Sequence, residues 1–180
     1  MTTELQRRKL EKVFASFDAD GDGVIEEMDF TAIAQIWCET YDVAPRSEGW
    51  RTIHGHAQKL WRDMRGSIDA NGNKRVTKEE WVSWIDKPDF PEFVETVAIP
   101  FSMAVFHVAD DDRDGRITVE EMMAAQSKAG MSEEETRVAF AKLDTDNDGY
   151  VTADEYTQAA REFYLSDDPD APGNLIAGSL

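Results

Sequence analysis

The sequence of 180 residues predicts an all-α fold, in which four helix–loop–helix units form two pairs packed into one compact globule. Three observations support this prediction. Twelve-residue acidic stretches occur four times, beginning at Asp18, Asp69, Asp110 and Asp144. Between them, apolar residues recur with a helical period. In the last two stretches a threonine stands three residues before the closing glutamate, which is typical of a helix start.

The third and fourth stretches match the calcium-loop pattern of an EF-hand in full. Ca²⁺ takes about six to eight oxygens, so the pattern asks for side-chain oxygens at positions 1, 3, 5 and 12. Glycine at position 6 allows a sharp turn with positive φ. Position 7 contributes only its backbone carbonyl. The predicted ligands are Asp110, Asp112, Asp114, Arg116 and Glu121 in the third loop, and Asp144, Asp146, Asp148, Tyr150 and Glu155 in the fourth.

The first loop differs from this pattern at its last position. Its predicted ligands are Asp18, Asp20, Asp22, the carbonyl of Val24, and Asp29. Aspartate is one methylene shorter than the usual glutamate, so it reaches an ion less easily with both oxygens. Glu26 at position 9 would contribute directly or through water. We therefore predict a metal site that discriminates less between Ca²⁺ and Mg²⁺.

The second loop carries two faults. Lys74 stands where glycine belongs, and a β-carbon is strained at positive φ. Its basic side chains also cancel its acidic ones, which leaves the loop with no net charge. We predict a structural loop without metal, although it keeps Asp69, Asn71, Asn73 and Glu80 at the ligand positions. Position 8 is apolar in all four loops, which predicts that paired loops meet there through two short strands.

Apolar stripes predict eight main helices around the loops. The stripes entering and leaving the first loop are Leu5, Leu10, Val13, Phe14 and Phe17, then Phe30, Ile33, Ala34, Ile36 and Trp37. Residues 89–106 are apolar nearly all round, so we expect a buried helix, kinked or broken at Pro100. The basic run of Arg7, Arg8 and Lys9 fits a solvated helix face.

Successive loops begin 51, 41 and 34 residues apart, so the first half carries an apolar insertion. We predict an N-terminal pair over residues 1–88, a C-terminal pair over 89–165 and a tail over 166–180, with the two halves packed face to face. Leu175, Ile176 and Leu180 would dock the tail over the first half. A frayed terminus is the alternative.

The net charge of −18 is concentrated in the loops, which hold 20 of the 37 acidic residues. Crowded carboxylates repel one another without a cation, so metal should act as a folding ligand. The charge argues against binding to nucleic acid or to an anionic membrane. The chain has a single cysteine, Cys38, and lacks both a signal segment in residues 1–14 and an apolar run of membrane-spanning length, which predicts a cytoplasmic location. We also expect a monomer.

The four loops at these uneven distances, the weak second loop and the segment from Asp18 to Phe30 resemble the sarcoplasmic calcium-binding protein family, including its bacterial calerythrin-like members. The resemblance covers nearly the whole chain. It implies a compact cytosolic protein with three ions, on loops one, three and four, that buffers Ca²⁺ and Mg²⁺. Family members often use aspartate at position 12 of the first loop, which supports binding there.

Two other functions fit the same architecture. A calmodulin-like sensor would bind a target protein through a Met-rich groove, but only Met122 and Met123 cluster. The arrangement also resembles luciferin-binding proteins and calcium-triggered photoproteins, whose aromatic ligand the five Trp and nine Phe could surround if they do not simply fill the core. An enzyme is not predicted, because no nucleophile with its base is apparent.

Overall fold

The computed structural model describes residues 3–40, 43–128 and 131–178. Within these ranges, eight main helices confirm the predicted all-α class of EF-hand fold. They are α1 Glu4–Phe17, α2 Glu27–Thr40, α3 Glu48–Ile68, α4 Lys78–Ser83, α5 Phe90–Ala109, α6 Val119–Lys128, α7 Glu133–Leu143 and α8 Ala153–Leu165. Short 3₁₀ turns cover Trp84–Asp86 and Pro172–Leu175.

The chain forms two compact units, and each contains two of the acidic loops. The first unit is Leu10–Phe90, and the second combines Thr3–Lys9 with residues 91–178. Helix α1 therefore begins in the second unit and continues in the first. The sequence-based boundaries put all of α1 in the first unit.

Each unit joins its two loops through one antiparallel ladder of two short strands. In the first unit, β1 (Val24–Ile25) pairs with β2 (Val76–Thr77), so that Ile25 faces Val76. In the second, β3 (Arg116–Ile117) pairs with β4 (Val151–Thr152), so that Ile117 faces Val151. All four position-8 residues are buried, which confirms the predicted contact and fixes each pair of loops side by side.

Aromatic side chains fill the core of the first unit. Phe17 stacks on Phe30 with ring centroids 5.2 Å apart, and the Trp81 indole N–H donates a hydrogen bond of 2.8 Å to the Leu10 carbonyl. The predicted stripe on α2 is wrong at Ile36, which is 54% exposed. Cys38 is buried instead, because Phe30, Ala34 and Cys38 follow one another at i, i+4 and i+8.

Helix α5 enters the third loop and packs on one side only. Phe106 and Ala109 belong to the core of the second unit, but Glu92, Pro100 and Ala104 are exposed. The expectation of a fully buried helix was therefore wrong. The expectation that no apolar run reaches membrane-spanning length was also wrong, because Phe90–Ala109 is long and apolar enough by length and composition alone, with 28% of its most apolar window buried.

Pro100 does not break α5. A π-helical segment, Val94–Ala98, precedes it, and the Ile99 N–H donates to the Val94 carbonyl five residues back. Proline lacks an N–H and clashes with the carbonyl four residues before it. The wider turn immediately before Pro100 is a common way to keep such a helix continuous.

Within the described residues, the tail packs against α7 and α8 of the second unit. That it docks over the first half stays a prediction. The Gly173 N–H donates to a Glu162 carboxylate oxygen at 3.1 Å, and a β-carbon at Gly173 would lie 2.2 Å from the Ala159 carbonyl oxygen. Glycine is therefore required for this close approach. Leu175 and Ile176 contact the core of the unit. The third residue of the prediction, Leu180, lies outside the described residues.

Lys9 corrects the predicted solvated face. Its side chain is 1% exposed, and its Nζ donates to the carbonyls of Ser166, at 2.9 Å, and Glu162, at 3.4 Å. Ser166 follows the last residue of α8, so its carbonyl has no intrahelical donor, whereas the Glu162 carbonyl also accepts from the Ser166 N–H. Burial lowers the pKa of Lys9, although nearby acidic groups, Glu162 foremost, raise it. Arg7 and Arg8 are exposed, as predicted.

Candidate metal centres

The third loop gathers carboxylates from both of its ends. Oxygens of Asp110, Asp112 and Glu121 lie within 4.8 Å of one another, and Asp110 is only 6% exposed. The N–H groups of Asp114 and Gly115 donate to Asp110, each at 3.1 Å, and hold its carboxylate in place. Asp114 lies outside this group of three and accepts from the Arg116 N–H at 2.9 Å.

The fourth loop repeats this arrangement. Asp144, Asp146 and Glu155 bring oxygens within 4.8 Å of one another, and Asp144 is 7% exposed. The N–H groups of Asp148 and Gly149 donate to Asp144, each at 3.1 Å. Three converging carboxylates with a partly buried member form a set of hard oxygen donors that suits Ca²⁺.

The glutamate at position 12 belongs both to the loop and to the first turn of the helix that follows it. Glu121 accepts from the Asp111 N–H through Oε1, at 3.1 Å, and from the Thr118 N–H through Oε2, at 2.8 Å. The Thr118 hydroxyl in turn accepts from the Glu121 N–H, which makes the predicted capping box. These hydrogen bonds, that of the Thr118 backbone foremost, lower the pKa of Glu121 and favour its anionic form.

Glu155 is held in the same way at the start of α8. It accepts from the Thr145 and Thr152 N–H groups at 2.8 and 2.9 Å. Burial opposes ionisation of this carboxyl, but the hydrogen bonds prevail and lower its pKa to about 2. Ser132 with Glu135 forms a further capping box, at the start of α7.

The first loop gathers Asp18, Asp20 and Asp22, whose oxygens lie within 4.8 Å of one another. Asp18 Oδ1 is buried and has no hydrogen-bond partner. A buried carboxylate oxygen without a donor is costly, and a cation would satisfy it. The residues of this loop therefore fit a metal ion.

Asp29 lies apart from that group. Its carboxylate is 3% exposed and accepts from the Ala19 N–H at 3.0 Å and from the Glu26 N–H at 2.7 Å. Glu121 and Glu155 make the equivalent backbone bonds at positions 2 and 9, yet they still reach their acidic groups. The shorter side chain of Asp29 accepts the two backbone hydrogen bonds but does not reach the three carboxylates of the acidic group.

The second loop satisfies its own polar groups. Asp69 accepts from the N–H groups of Gly72 and Lys74, both at 2.8 Å, while the Asn71 side chain donates to Glu80 at 2.8 Å. Lys74 has a φ of 64°, which is the strain expected of a side chain at position 6. The second loop contributes none of the groups of three acidic ligands found among the described residues. Glu80 also forms a capping box with Thr77, which we did not predict although the signal was present.

Position 4 is a feature that the sequence reasoning missed. It has positive φ in every loop, at Gly21, Gly72, Arg113 and Asn147. Glycine or asparagine at three of these four positions was the available signal. The predicted ligands at position 7 donate N–H bonds of 2.9 Å, from Val24 to Asp22, from Arg116 to Asp114 and from Tyr150 to Asp148. That their carbonyls bind metal stays a prediction.

Comparisons with known proteins agree with this geometry. The family described as an EF-hand domain pair matches residues 101–161, and the family described as EF hand matches residues 10–34. Calerythrin from Saccharopolyspora erythraea is 26% identical over 168 residues, which cover 92% of this chain and 95% of calerythrin.

Two solved structures extend the comparison. A calcium-binding protein from Streptomyces coelicolor is 34% identical with a TM-score of 0.69, and the match covers 91% of this chain and 99% of that one. A sarcoplasmic calcium-binding protein from amphioxus is 21% identical with a TM-score of 0.80 and full coverage of both chains, which shows a common fold. The chain therefore belongs to the EF-hand family of calcium-binding proteins and is similar to calerythrin over nearly its whole length.

Proposed function

We propose that this protein buffers Ca²⁺ and Mg²⁺ in the cytosol as a monomer that holds three ions. The observation that carries the proposal is the presence of three acidic groups, one in each of the first, third and fourth loops, with ligand atoms within 4.8 Å of one another. The second loop would be structural, because it contributes no group of three acidic ligands, its Asn71 side chain donates to Glu80, and its position 6 is strained.

The proposed sites differ in the ions that they favour. The third and fourth loops each bring a glutamate to the acidic group, and its two oxygens suit the larger coordination number of Ca²⁺. The first loop lacks that contribution, because Asp29 faces the backbone. Mg²⁺ takes fewer protein ligands and keeps several waters, so the first loop is the site proposed to accept Mg²⁺ as well as Ca²⁺.

Packing favours a buffer over a sensor. Met122, which would line a Met-rich groove, is 4% exposed and lies in the core of the second unit. A sensor opens its paired helices on binding Ca²⁺, whereas a buffer barely opens. Regulation through Ca²⁺, as described for the Streptomyces coelicolor protein, is the alternative function.

Two measurements test the proposal. Calorimetric titration should give three Ca²⁺ per chain, and Glu155→Gln should give two. Four sites in the native chain would contradict the assignment of the second loop.

An apolar dye should then separate buffer from sensor: dye fluorescence that falls on adding either ion supports a buffer, whereas a rise with Ca²⁺ alone indicates a sensor. Arg62→Gln, an exposed change on α3, serves as the matched control.

A further inference from the structure

Arg75 belongs to the second loop, which has no group of three acidic ligands. It lies beside the acids of the first loop. The ladder pairs Ile25 with Val76, so the next residues outward, Glu26 and Arg75, face each other. Arg75 Nε lies 3.4 Å from Glu26 Oε2, and its Nη2 lies 3.6 Å from Asp22 Oδ2. One guanidinium therefore bridges two carboxylates of the neighbouring loop.

Both partners occupy positions that matter for metal binding. Asp22 belongs to the acidic group of the first loop, and Glu26 stands at position 9, which contributes to the ion directly or through water. A fixed positive charge at this distance opposes a divalent cation. It also holds two carboxylates that the ion would recruit.

The other ladder shows that the arrangement is particular to the first unit. Arg116 occupies the same position 7 in the third loop and pairs across the ladder with Thr152, which is neutral. Its guanidinium lies over the Tyr150 ring, 5.0 Å from the centroid. The acid at position 9 and the arginine that faces it occur together only in the first ladder.

We propose that Arg75 is a built-in counter-ion that sets the affinity of the first metal site. The second loop would thus set the affinity of the first loop for its ion without binding an ion itself. The inference rests on the proposed function, because it requires the first loop to bind metal. Arg75 is about half exposed, so solvent and salt screen part of its effect.

The test needs a signal from each loop. The N–H groups of Gly23, Gly115 and Gly149 each donate to the first carboxylate of their own loop, so their NMR signals report on the three loops separately. Ca²⁺ and Mg²⁺ are titrated into the full chain, as native protein and as Arg75→Gln, Arg75→Lys and Arg62→Gln. Each titration is repeated at about 0.05 M and about 1 M salt, where the screening length differs several-fold.

In Arg75→Gln we expect the Gly23 dissociation constant to fall by about three- to tenfold at low salt and by less at high salt. Arg75→Lys keeps the charge and should stay near the native value, as should Arg62→Gln. A Gly23 constant within twofold of native in Arg75→Gln, or an equal fall in Arg62→Gln, overturns the proposal.

The titration also separates this inference from the proposed function. If Gly115 and Gly149 respond but Gly23 does not respond in any variant, the first loop is not a metal site, and the role of Arg75 fails while Ca²⁺ binding stands. If none of the three responds, the proposed function itself fails.

Discussion

The Nζ of Lys9 lies 2.9 Å from the carbonyl oxygen of Ser166, 157 residues further along the chain. This hydrogen bond and the longer one to Glu162 supply a donor to the end of α8. Lys9→Met keeps the apolar stem but leaves these carbonyls without their charged donor. We expect it to lower the free energy of unfolding by about 1 to 3 kcal/mol, measured in urea with Ca²⁺ present.

The neighbouring Arg8 provides the control for Lys9. Its side chain is exposed, so Arg8→Met should change the free energy of unfolding by less than about 0.5 kcal/mol. Equal effects of the two replacements would mean that Lys9 affects stability only through the net charge of the chain.

Replacing Lys74 by glycine should stabilise the chain. A φ of 64° is strained for lysine and free for glycine, so Lys74→Gly should raise the free energy of unfolding by about 1 kcal/mol without metal. Lys74→Ala removes the same charge but keeps a β-carbon, and it should give no such gain. If both variants gain equally, charge rather than backbone strain is the cause.

Glu121→Gln and Glu155→Gln should each remove one bound Ca²⁺. A neutral amide cannot supply the charged pair of oxygens that position 12 offers to the ion. Calorimetric stoichiometry should fall from three to two in each variant and to one in the double variant. Retention of all three ions would show that position 12 is dispensable. Glu135→Gln serves as the control, because it alters a capping box at the start of α7, away from any loop position 12.

Asp29→Glu should make the first loop more selective for Ca²⁺. The added methylene lets the carboxylate reach the group of Asp18, Asp20 and Asp22 while it still accepts from the backbone. We expect the ratio of Ca²⁺ to Mg²⁺ affinity at the Gly23 signal to rise by about tenfold. A constant ratio would contradict the coordination proposed for Asp29.

Removal of metal should destabilise the fold strongly. A site with a dissociation constant of about 1 μM, in about 1 mM free Ca²⁺, contributes about 4 kcal/mol if the unfolded chain does not bind. Three such sites should raise the melting temperature by about 20 °C or more relative to chelator. Differential scanning calorimetry measures the shift, and a change of only a few degrees would show that apolar packing alone holds the units.

The repeated loops were predictable because their chemistry is local. Spacing alone gave the acidic groups, the apolar contact at position 8 and the capping boxes at Thr118 and Thr152. The strain at Lys74 followed from one residue type at one position. The twelve-residue pattern names the ligand positions but not the other hydrogen bonds that those side chains make. It therefore does not predict that Asp29 accepts from the Ala19 and Glu26 N–H groups.

Most of what the sequence does not predict is contact between residues that lie far apart in the chain. The basic neighbours of Lys9 predict a solvated face, but Lys9 follows Leu5 by four residues on the same face of α1 and donates to the end of α8, far along the chain. Apolar residues in the tail predict that it docks but not on which helices, and the structure shows it on α7 and α8. The predicted stripe on α2 includes Ile36, whereas the buried residues of that helix run through Ala34 and Cys38.

The two ladders join unequal partners, and this shapes the response of the molecule to rising Ca²⁺. Strand β1 links a loop that has a group of three acidic ligands to one that has none, so on the proposed function the first unit would take up a single ion, with a Hill coefficient near one. Strand β3 links two loops that both have such groups, so filling one can favour the other and the curve can steepen towards a coefficient of about two. One chain would then combine a graded reservoir with a sharper threshold.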